Sequence, residues 1–261
     1  MNLWQGILLG LVQGLTEFLP VSSDGHLALI GHVAGVRTPG VFVEVALHVA
    51  TLGSILVVYG RRFWDLVLGV LRRDPAALQY AGLLIVGMIP AGLVGIFLED
   101  LIARAFDSLI AAGIGFLVTA AALLSTRRRN PVGLERPTPG GALVIGLAQA
   151  LAPLPGISRS GMTIASGLWM GLGAVAAADF SFLMAIPLIA GAGLLEARHA
   201  ATDLALVGVV PLVVGALVAF FAGVFAIRFL VAMLRRGRFH AFAPYCIAIA
   251  LFTLAYALWH G

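Results

Sequence analysis

Gln13-Gly14-Leu15-Thr16-Glu17-Phe18-Leu19-Pro20-Val21-Ser22-Ser23-Asp24-Gly25-His26 sets two acids, an imidazole and a pair of serines inside a chain that is otherwise strongly apolar. Gln13 and Glu17 are four residues apart, so a helix puts them on one face with Cβ atoms about 6 Å apart. That helix has to stop at Pro20, which cannot continue it comfortably. Ser22, Ser23, Asp24 and Gly25 suit unwound backbone and the N-cap of a new helix opening at His26. A helix N-terminus with free N–H groups and hydroxyls beside it attracts phosphate-like anions. The stretch reads as half of an active site.

The rest of the chain says where that half-site sits. Of 261 residues, 61% are hydrophobic and 11% charged, and the mean hydropathy is +1.06. That excludes a water-soluble domain and defines a single integral, polytopic, all-α membrane domain. All 16 basic residues are arginine, and the net charge of +4 reads as membrane topology, not nucleic-acid binding. Cys246 is the lone cysteine, so no intrachain disulfide forms. The apolar N-terminus has no basic n-region and is not expected to be a signal peptide.

Six apolar segments, 42–60, 78–98, 107–125, 178–197, 205–229 and 241–259, are long enough to cross the membrane, whose hydrocarbon core is about 30 Å thick. Two more, 3–34 and 141–172, are each interrupted by a Pro/Gly/Ser-rich break and read as re-entrant helix pairs. Sliding the chain along itself by 136 residues sets Gly10, Gln13, Ser22 and Gly25 on Gly146, Gln149, Ser158 and Gly161. The expectation is two repeats, approximately 1–130 and 138–261, each of one re-entrant pair plus three transmembrane helices. Three is odd, so the second repeat is inverted.

Arginine placement bears on the same topology. The connections 61–77, 126–140 and 228–240 carry Arg61, Arg62, Arg72, Arg73, Arg127, Arg128, Arg129, Arg136, Arg228, Arg235, Arg236 and Arg238. The opposite side has Arg37, Arg104 and Arg198, and Arg159 lies in the second break. By the positive-inside rule the rich side is cytoplasmic and both termini are outside. The two breaks then enter from opposite faces and their tips can meet. Gly6, Gly10 and Gly14, and again Gly167 and Gly171, repeat at four-residue spacing and permit close helix approach. Trp4, Trp64, Tyr245 and Trp259 fall near span ends as interface anchors with no chemistry assigned.

An ionised side chain near the bilayer centre costs roughly 2.5 to 3.5 kcal/mol on insertion scales, so Glu17 and Arg159 need a partner. Each can serve the other as a structural ion pair, or both can serve a bound phosphate and its metal ion. Arg159 carries a planar fork suited to phosphate, flanked by Ser158, Ser160 and Gly161 at a helix N-terminus. His26 reads as a general acid or base, with a capping or merely satisfied histidine as the bland alternative. Ser23 reads as a nucleophile. Ser22 and Asp24 are better read as N-caps, and Thr163 and Ser160 add hydroxyl contacts. His48, inside an apolar span, reads as a hydrogen-bonded core histidine. Glu44, Glu99, Asp100, Asp179, Glu196 and Asp203 read as solvated or capping groups at span ends.

Gln13 to His26 and Pro155-Gly156-Ile157-Ser158-Arg159-Ser160-Gly161 resemble the two signature motifs of the bacterial undecaprenyl-diphosphate phosphatases, the family associated with bacitracin resistance. Ile89-Pro90-Ala91-Gly92, Phe180 to Pro187 and Phe242-Ala243-Pro244-Tyr245 look like the same family. The resemblance implies hydrolysis of undecaprenyl diphosphate to undecaprenyl phosphate and inorganic phosphate, recycling the lipid carrier of peptidoglycan synthesis. It also implies a divalent metal, Mg²⁺ or Ca²⁺, and a site on the outer face of the bacterial cytoplasmic membrane. Carried over by position, Glu17, Ser23, His26 and Arg159 match the family's motif acid, serine, histidine and arginine. Gln13 stands where some members have a second glutamate, so the metal falls to Glu17, with Gln13 or Asp24 as its companion. Ser23, His26 and water all stay open as nucleophile. The competing reading is a transporter or flippase of a phosphorylated lipid, because inverted repeats with broken helices also build carriers.

Overall fold

Helix ends in this chain fall where capping chemistry puts them. Asn2 and Gln5 form a reciprocal capping box, with Gln5 N–H donating to Asn2 Oδ1 at 2.8 Å and Asn2 N–H donating to Gln5 Oε1 at 2.9 Å. They open α1, Leu3–Phe18, which ends at extended Leu19, the residue that Pro20 bars from helical geometry. The computed structural model describes residues 1–33, 42–129, 132–196 and 208–260. Among them are ten further α-helices: α2 Ser23–Val33, α3 Phe42–Leu71, α4 Pro75–Phe97, α5 Glu99–Phe106, α6 Leu109–Ser125, α7 Pro139–Gln149, α8 Arg159–Trp169, α9 Ala174–Glu196, α10 Val209–Arg235 and α11 Ala243–His260. Asp74, Ser108, Thr138 and Ser158 cap α4, α6, α7 and α8 through their side chains. Asp203, Arg37, Arg198, both ends of the 197–207 stretch that closes one expected span and opens the next, and the side chains of Glu44, Glu99 and Glu196 lie outside the described residues.

The chain is a multi-pass membrane protein. Pro75–Phe97, Ala174–Gly191, Val209–Arg235 and Phe239–His260 are long and apolar enough to cross a bilayer, and α5 with α6, bent by 97°, makes a fifth if taken as one span. Large apolar side chains such as Phe97, Phe221 and Leu258 face outward on these helices. The expected span 42–60 is only the first part of α3, which continues to Leu71. The connection read as 61–77 therefore shrinks to a turn, because Arg61, Arg62 and Asp65 sit on helix. The arginine-bearing segments gather at one end: Arg61, Arg62, Arg228 and Arg235 line one pocket, and Arg136 Nη1 donates to Gln79 Oε1 at 2.8 Å near the start of α4.

The helices pair in an exchanged pattern. α1 packs on α10 as α7 packs on α4, while α3 meets α9 and α6 meets α11. The glycine stripe of α1 works as expected: a Cβ on Gly6, Gly10 or Gly14 would fall on the backbone carbonyl of Pro211, Gly215 or Ala219. Gly146, set opposite Gly10 by the 136-residue slide, likewise meets the carbonyl of Gly87 on α4. Gly167 packs on Ala177, but Gly171 does not serve helix approach. It adopts φ +84° in the turn after α8, with open space where a Cβ would be.

Candidate active site

The site is built where the two breaks touch. α2 begins at Ser23, three residues earlier than expected, and Ser22 takes φ +65°, a left-handed backbone that turns the chain tightly enough to aim the new helix. Ser22 Oγ then accepts from Gly25 N–H at 3.3 Å. In the second break Ser158 Oγ accepts from Gly161 N–H at 3.1 Å. The breaks approach backbone to backbone beside the Phe116 ring: a Cβ on Gly25 would come within 2.8 Å of Gly156 Cα and 2.6 Å of Phe116 Cζ. Ser160 Oγ donates across to Leu19 O at 3.3 Å.

Glu17, on the last turn of α1 and buried, holds the junction. Arg159 Nη2 donates to its Oε1 at 2.6 Å. Its Oε2 accepts from Ser23 Oγ at 2.9 Å and from Gln13 Nε2 at 3.1 Å, and His48 Nε2 stands 3.3 Å away. One carboxylate thus binds both breaks and α3 together. Gln13 is fully buried and does not reach the cavity; its amide braces Glu17, a service a second carboxylate could not give. Arg159 keeps Nη1 without a protein acceptor among the described residues, so its fork retains a donor.

Beside this carboxylate opens a cavity of about 370 Å³. Glu17, Ser22, Ser23, Asp24, Ser158 and Arg159 line it, together with Thr16, His48 and Gln149. Its other walls are apolar, from Val45, Ala91, Ala152, Ile157, Leu188 and Ile189. Ala91 and Leu188 each follow a proline inside a helix, Pro90 and Pro187, where the missing N–H leaves a gap in the backbone ladder. A polar end and an apolar flank describe a receptacle for an amphiphile with an anionic head.

Several residues stand elsewhere than their sequence reading placed them. His26 does not line the cavity. Its Nδ1 donates to Ser22 O at 2.7 Å, which leaves Nε2 to accept from Tyr245 O–H, also at 2.7 Å. Its ring lies parallel to that of Tyr245 and edge-on to Phe116. Tyr245, read as an interface anchor, is therefore a hydrogen-bond partner of the first break. Ser160 and Thr163 are also off the cavity wall: Thr163 Oγ1 donates to Arg159 O at 2.8 Å and meets Ser181 Oγ at 2.6 Å. Asp24 is not a cap but lies in the first turn of α2 facing the cavity, 3.9 Å from His48 Nε2. Asp179, expected at a solvated span end, is buried in α9 and ion-paired with Arg62, because the extension of α3 carries that arginine to it.

Sequence reading passed over Gln149 and Thr16 as wall residues and took His48 for a hydrogen-bonded core histidine, whereas it lines the cavity beside Glu17. Gln149 had a signal, since the 136-residue slide sets it on Gln13; its Nε2 donates to Gly87 O at 3.3 Å and its buried Oε1 has no partner among the described residues. Among the described residues no three His, Cys, Asp or Glu side chains form a metal-binding group. Glu17 and Asp24 nevertheless place two carboxylates on one cavity wall, which fits a hard divalent cation that takes one or two carboxylates and draws its remaining oxygens from water and phosphate.

Fold and site together define a polytopic membrane protein with an acid, a serine and an arginine converging on an amphiphile-sized cavity. Residues 6–252 match the family model described as bacitracin resistance protein BacA, and the chain belongs to that family. It is 42% identical to a protein of Desulfosudis oleivorans named undecaprenyl-diphosphatase, over 96% of this chain and 97% of that one. Proteins of the same name from Thermomicrobium roseum and Halothermothrix orenii are 40% and 37% identical, covering 97% and 98% of this chain and 98% and 99% of theirs.

Proposed function

We propose that this protein is an undecaprenyl-diphosphate phosphatase, hydrolysing undecaprenyl diphosphate to undecaprenyl phosphate and inorganic phosphate. The observation that carries this reading is the Glu17 carboxylate, which touches a serine hydroxyl, an arginine and an imidazole at the mouth of a cavity with apolar walls. A binding site in a carrier needs the arginine but not a carboxylate hydrogen-bonded to a hydroxyl. The hydrolase name of the relatives supports the same choice.

In the reaction, the isoprenoid lies along the apolar wall and the diphosphate enters beside Arg159 and the N-termini of α2 and α8. Ser23 Oγ attacks the terminal phosphorus and its proton passes to Glu17 Oε2, 2.9 Å away. The bond from that phosphorus to the bridging oxygen breaks, and undecaprenyl phosphate leaves. Water then opens the seryl phosphate: its oxygen bonds to the phosphorus as the Ser23 Oγ–P bond breaks, one of its protons restores the hydroxyl, and the proton held on Glu17 leaves with the products, returning the carboxylate. Arg159 neutralises charge on the transferred group. His48 orients Glu17 and Asp24, while His26 and Tyr245 fix the backbone at Ser22 from behind. Glu17 and Asp24 would hold a divalent cation, Mg²⁺ or Ca²⁺, which supplies charge neutralisation at the diphosphate when bound.

The orientation we infer is inverted repeats over approximately 1–130 and 138–261, termini outside, in the bacterial cytoplasmic membrane. The exchanged helix pairing and the matching Ser22–Gly25 and Ser158–Gly161 caps support the repeat. The cavity meets α3 at Val45 and His48, whereas the arginines meet it from Arg61 onward. His48 and Arg62 are about 21 Å apart along the axis at the usual helical rise. The cavity thus lies away from the cytoplasmic arginines and toward the outer face.

The test is phosphate release from a polyprenyl diphosphate by detergent-purified protein, with and without EDTA, alongside Ser23→Ala and trapping of a phosphoenzyme. Release that EDTA abolishes, with label on Ser23, is expected. Release that persists in folded Ser23→Ala would transfer the attack to water.

A further inference from the structure

A second pocket, of about 670 Å³, lies at the arginine-rich end of the bundle between α3, α9 and α10. Its floor is settled: buried Asp179 is ion-paired with Arg62, with Tyr59 lining the same pocket. Arg61 stands 4.0 Å from Asp65 on the exposed rim. That leaves Arg228 and Arg235, which line the pocket and have no carboxylate within ion-pair distance among the described residues. They are seven residues apart on α10 and so share a face, with Val231 and Ala232 between them on the pocket wall. This pocket shares no lining residue with the one at Glu17, and Phe182 packs both on Tyr59, which lines it, at 5.3 Å and on Phe18, next to Glu17, at 5.8 Å between ring centres.

We propose that this pocket is a second phosphate-binding site, distinct from the catalytic cavity, in which Arg228 and Arg235 hold a phosphate group. Two guanidinium groups on one concave wall, with no carboxylate in ion-pair distance among the described residues, form an arrangement that phosphate recognises through charge-assisted hydrogen bonds. The apolar residues between the arginines, on a helix that crosses the bilayer, favour a phosphate carried by an anionic lipid over free phosphate. Lipid head groups are recognised in basic pockets between transmembrane helices on the arginine-rich side.

The test is thermal unfolding of the full-length, delipidated protein in a zwitterionic detergent, titrated with phosphatidylglycerol, phosphatidylcholine or inorganic phosphate. Phosphatidylglycerol is expected to raise the midpoint saturably. Arg228→Gln/Arg235→Gln is expected to need about twenty-five-fold more lipid, since each arginine contributes roughly fivefold to binding an anionic lipid surface. Its phosphatase activity at saturating substrate stays at the wild-type level. Arg128→Gln/Arg129→Gln, which removes the same charge outside the pocket, keeps the full response, and so does Arg159→Ala. A response to inorganic phosphate that is lost in the same pocket variant upholds the site and makes free phosphate its ligand. Equal responses to phosphatidylcholine and phosphatidylglycerol, equal losses in the two arginine pairs, or a loss confined to Arg159→Ala would overturn it.

Discussion

Ser22 caps Gly25 in the first break at 3.3 Å, and Ser158 caps Gly161 in the second at 3.1 Å. The four residues correspond at one spacing along the chain, as do Gln13 and Gln149 below them. The content of the breaks then diverges: by the same spacing Glu17 falls opposite Pro153, Ser23 opposite Arg159, and His26 opposite Met162. A repeated backbone can be copied because caps and glycines are neutral. A charged site cannot, since two copies of Glu17 or of Arg159 facing each other at low dielectric would repel. One break therefore supplies the acid and the hydroxyl, and the other supplies the cation.

The largest effects should come from erasing that difference. Arg159→Ser gives the second break the residue that the first carries, and Glu17→Gln removes the opposing charge. Each is expected to lower phosphate release by on the order of 10³-fold, the scale seen when a group stabilising transition-state charge is lost. Arg159→Ser also leaves a buried carboxylate without its guanidinium, a change that costs about 3 to 5 kcal/mol when nothing replaces the partner. Activity is read in the phosphate assay and stability as the unfolding midpoint. A fully active Arg159→Ser would mean that the ion pair only locks the breaks together.

The two histidines sharpen the comparison on a smaller scale. His48 touches the Glu17 carboxylate inside the cavity, whereas His26 is bonded at both nitrogens to Ser22 and Tyr245 outside it. His48→Ala is expected to cut kcat by about 10²-fold, the scale of misplacing a group that must be held in reacting geometry, with little change in unfolding midpoint. His26→Ala is expected to lower stability by roughly 1 to 3 kcal/mol through the unpaired groups it leaves. Most of that loss should already be present in Tyr245→Phe, so the double variant adds little. The reverse pattern, with His26→Ala stable and inactive, would return the acid–base role to His26.

What the sequence disclosed follows from which forces act locally. Pro20, the serine caps and the glycine stripe state their geometry in adjacent residues, and the cost of an intramembrane charge was enough to pair Glu17 with an arginine 142 residues away. His48 gave no such sign: as a single polar residue in an apolar helix it looks the same whether it faces packing or a cavity. Asp179 and Arg62 were misread because charges at a span end suit water, and only the continuation of α3 to Leu71 shows that they meet inside the bundle. Tyr245 was read by its apolar body, while its hydroxyl reaches a histidine 219 residues distant. Pairing among distant polar groups of ordinary cost leaves no pattern to read.

The finest test of the comparison uses its neutral half. A methyl on Gly10 would collide with the carbonyl of Gly215, and one on Gly146 would lie 2.6 Å from Gly87 O. Both clashes are backbone against backbone, so no rotamer change relieves them and the helices must part. Gly10→Ala and Gly146→Ala are each expected to cost about 1 to 3 kcal/mol, the usual range for overpacking. Gly60→Ala, with nothing within 4 Å of the added methyl, is the control that should cost nothing. Activity should separate the pair. The Gly87 carbonyl that Gly146→Ala displaces is the one that accepts from Gln149 Nε2, and Gln149 lines the cavity. The carbonyl displaced by Gly10→Ala, that of Gly215, holds no cavity side chain among the described residues. Gly146→Ala should therefore lose activity severalfold beyond its loss of stability, measured below the unfolding range, and Gly10→Ala should not. Equal activity in the two would mean that Gln149 is a bystander at the wall and that the breaks differ only in the charges they carry.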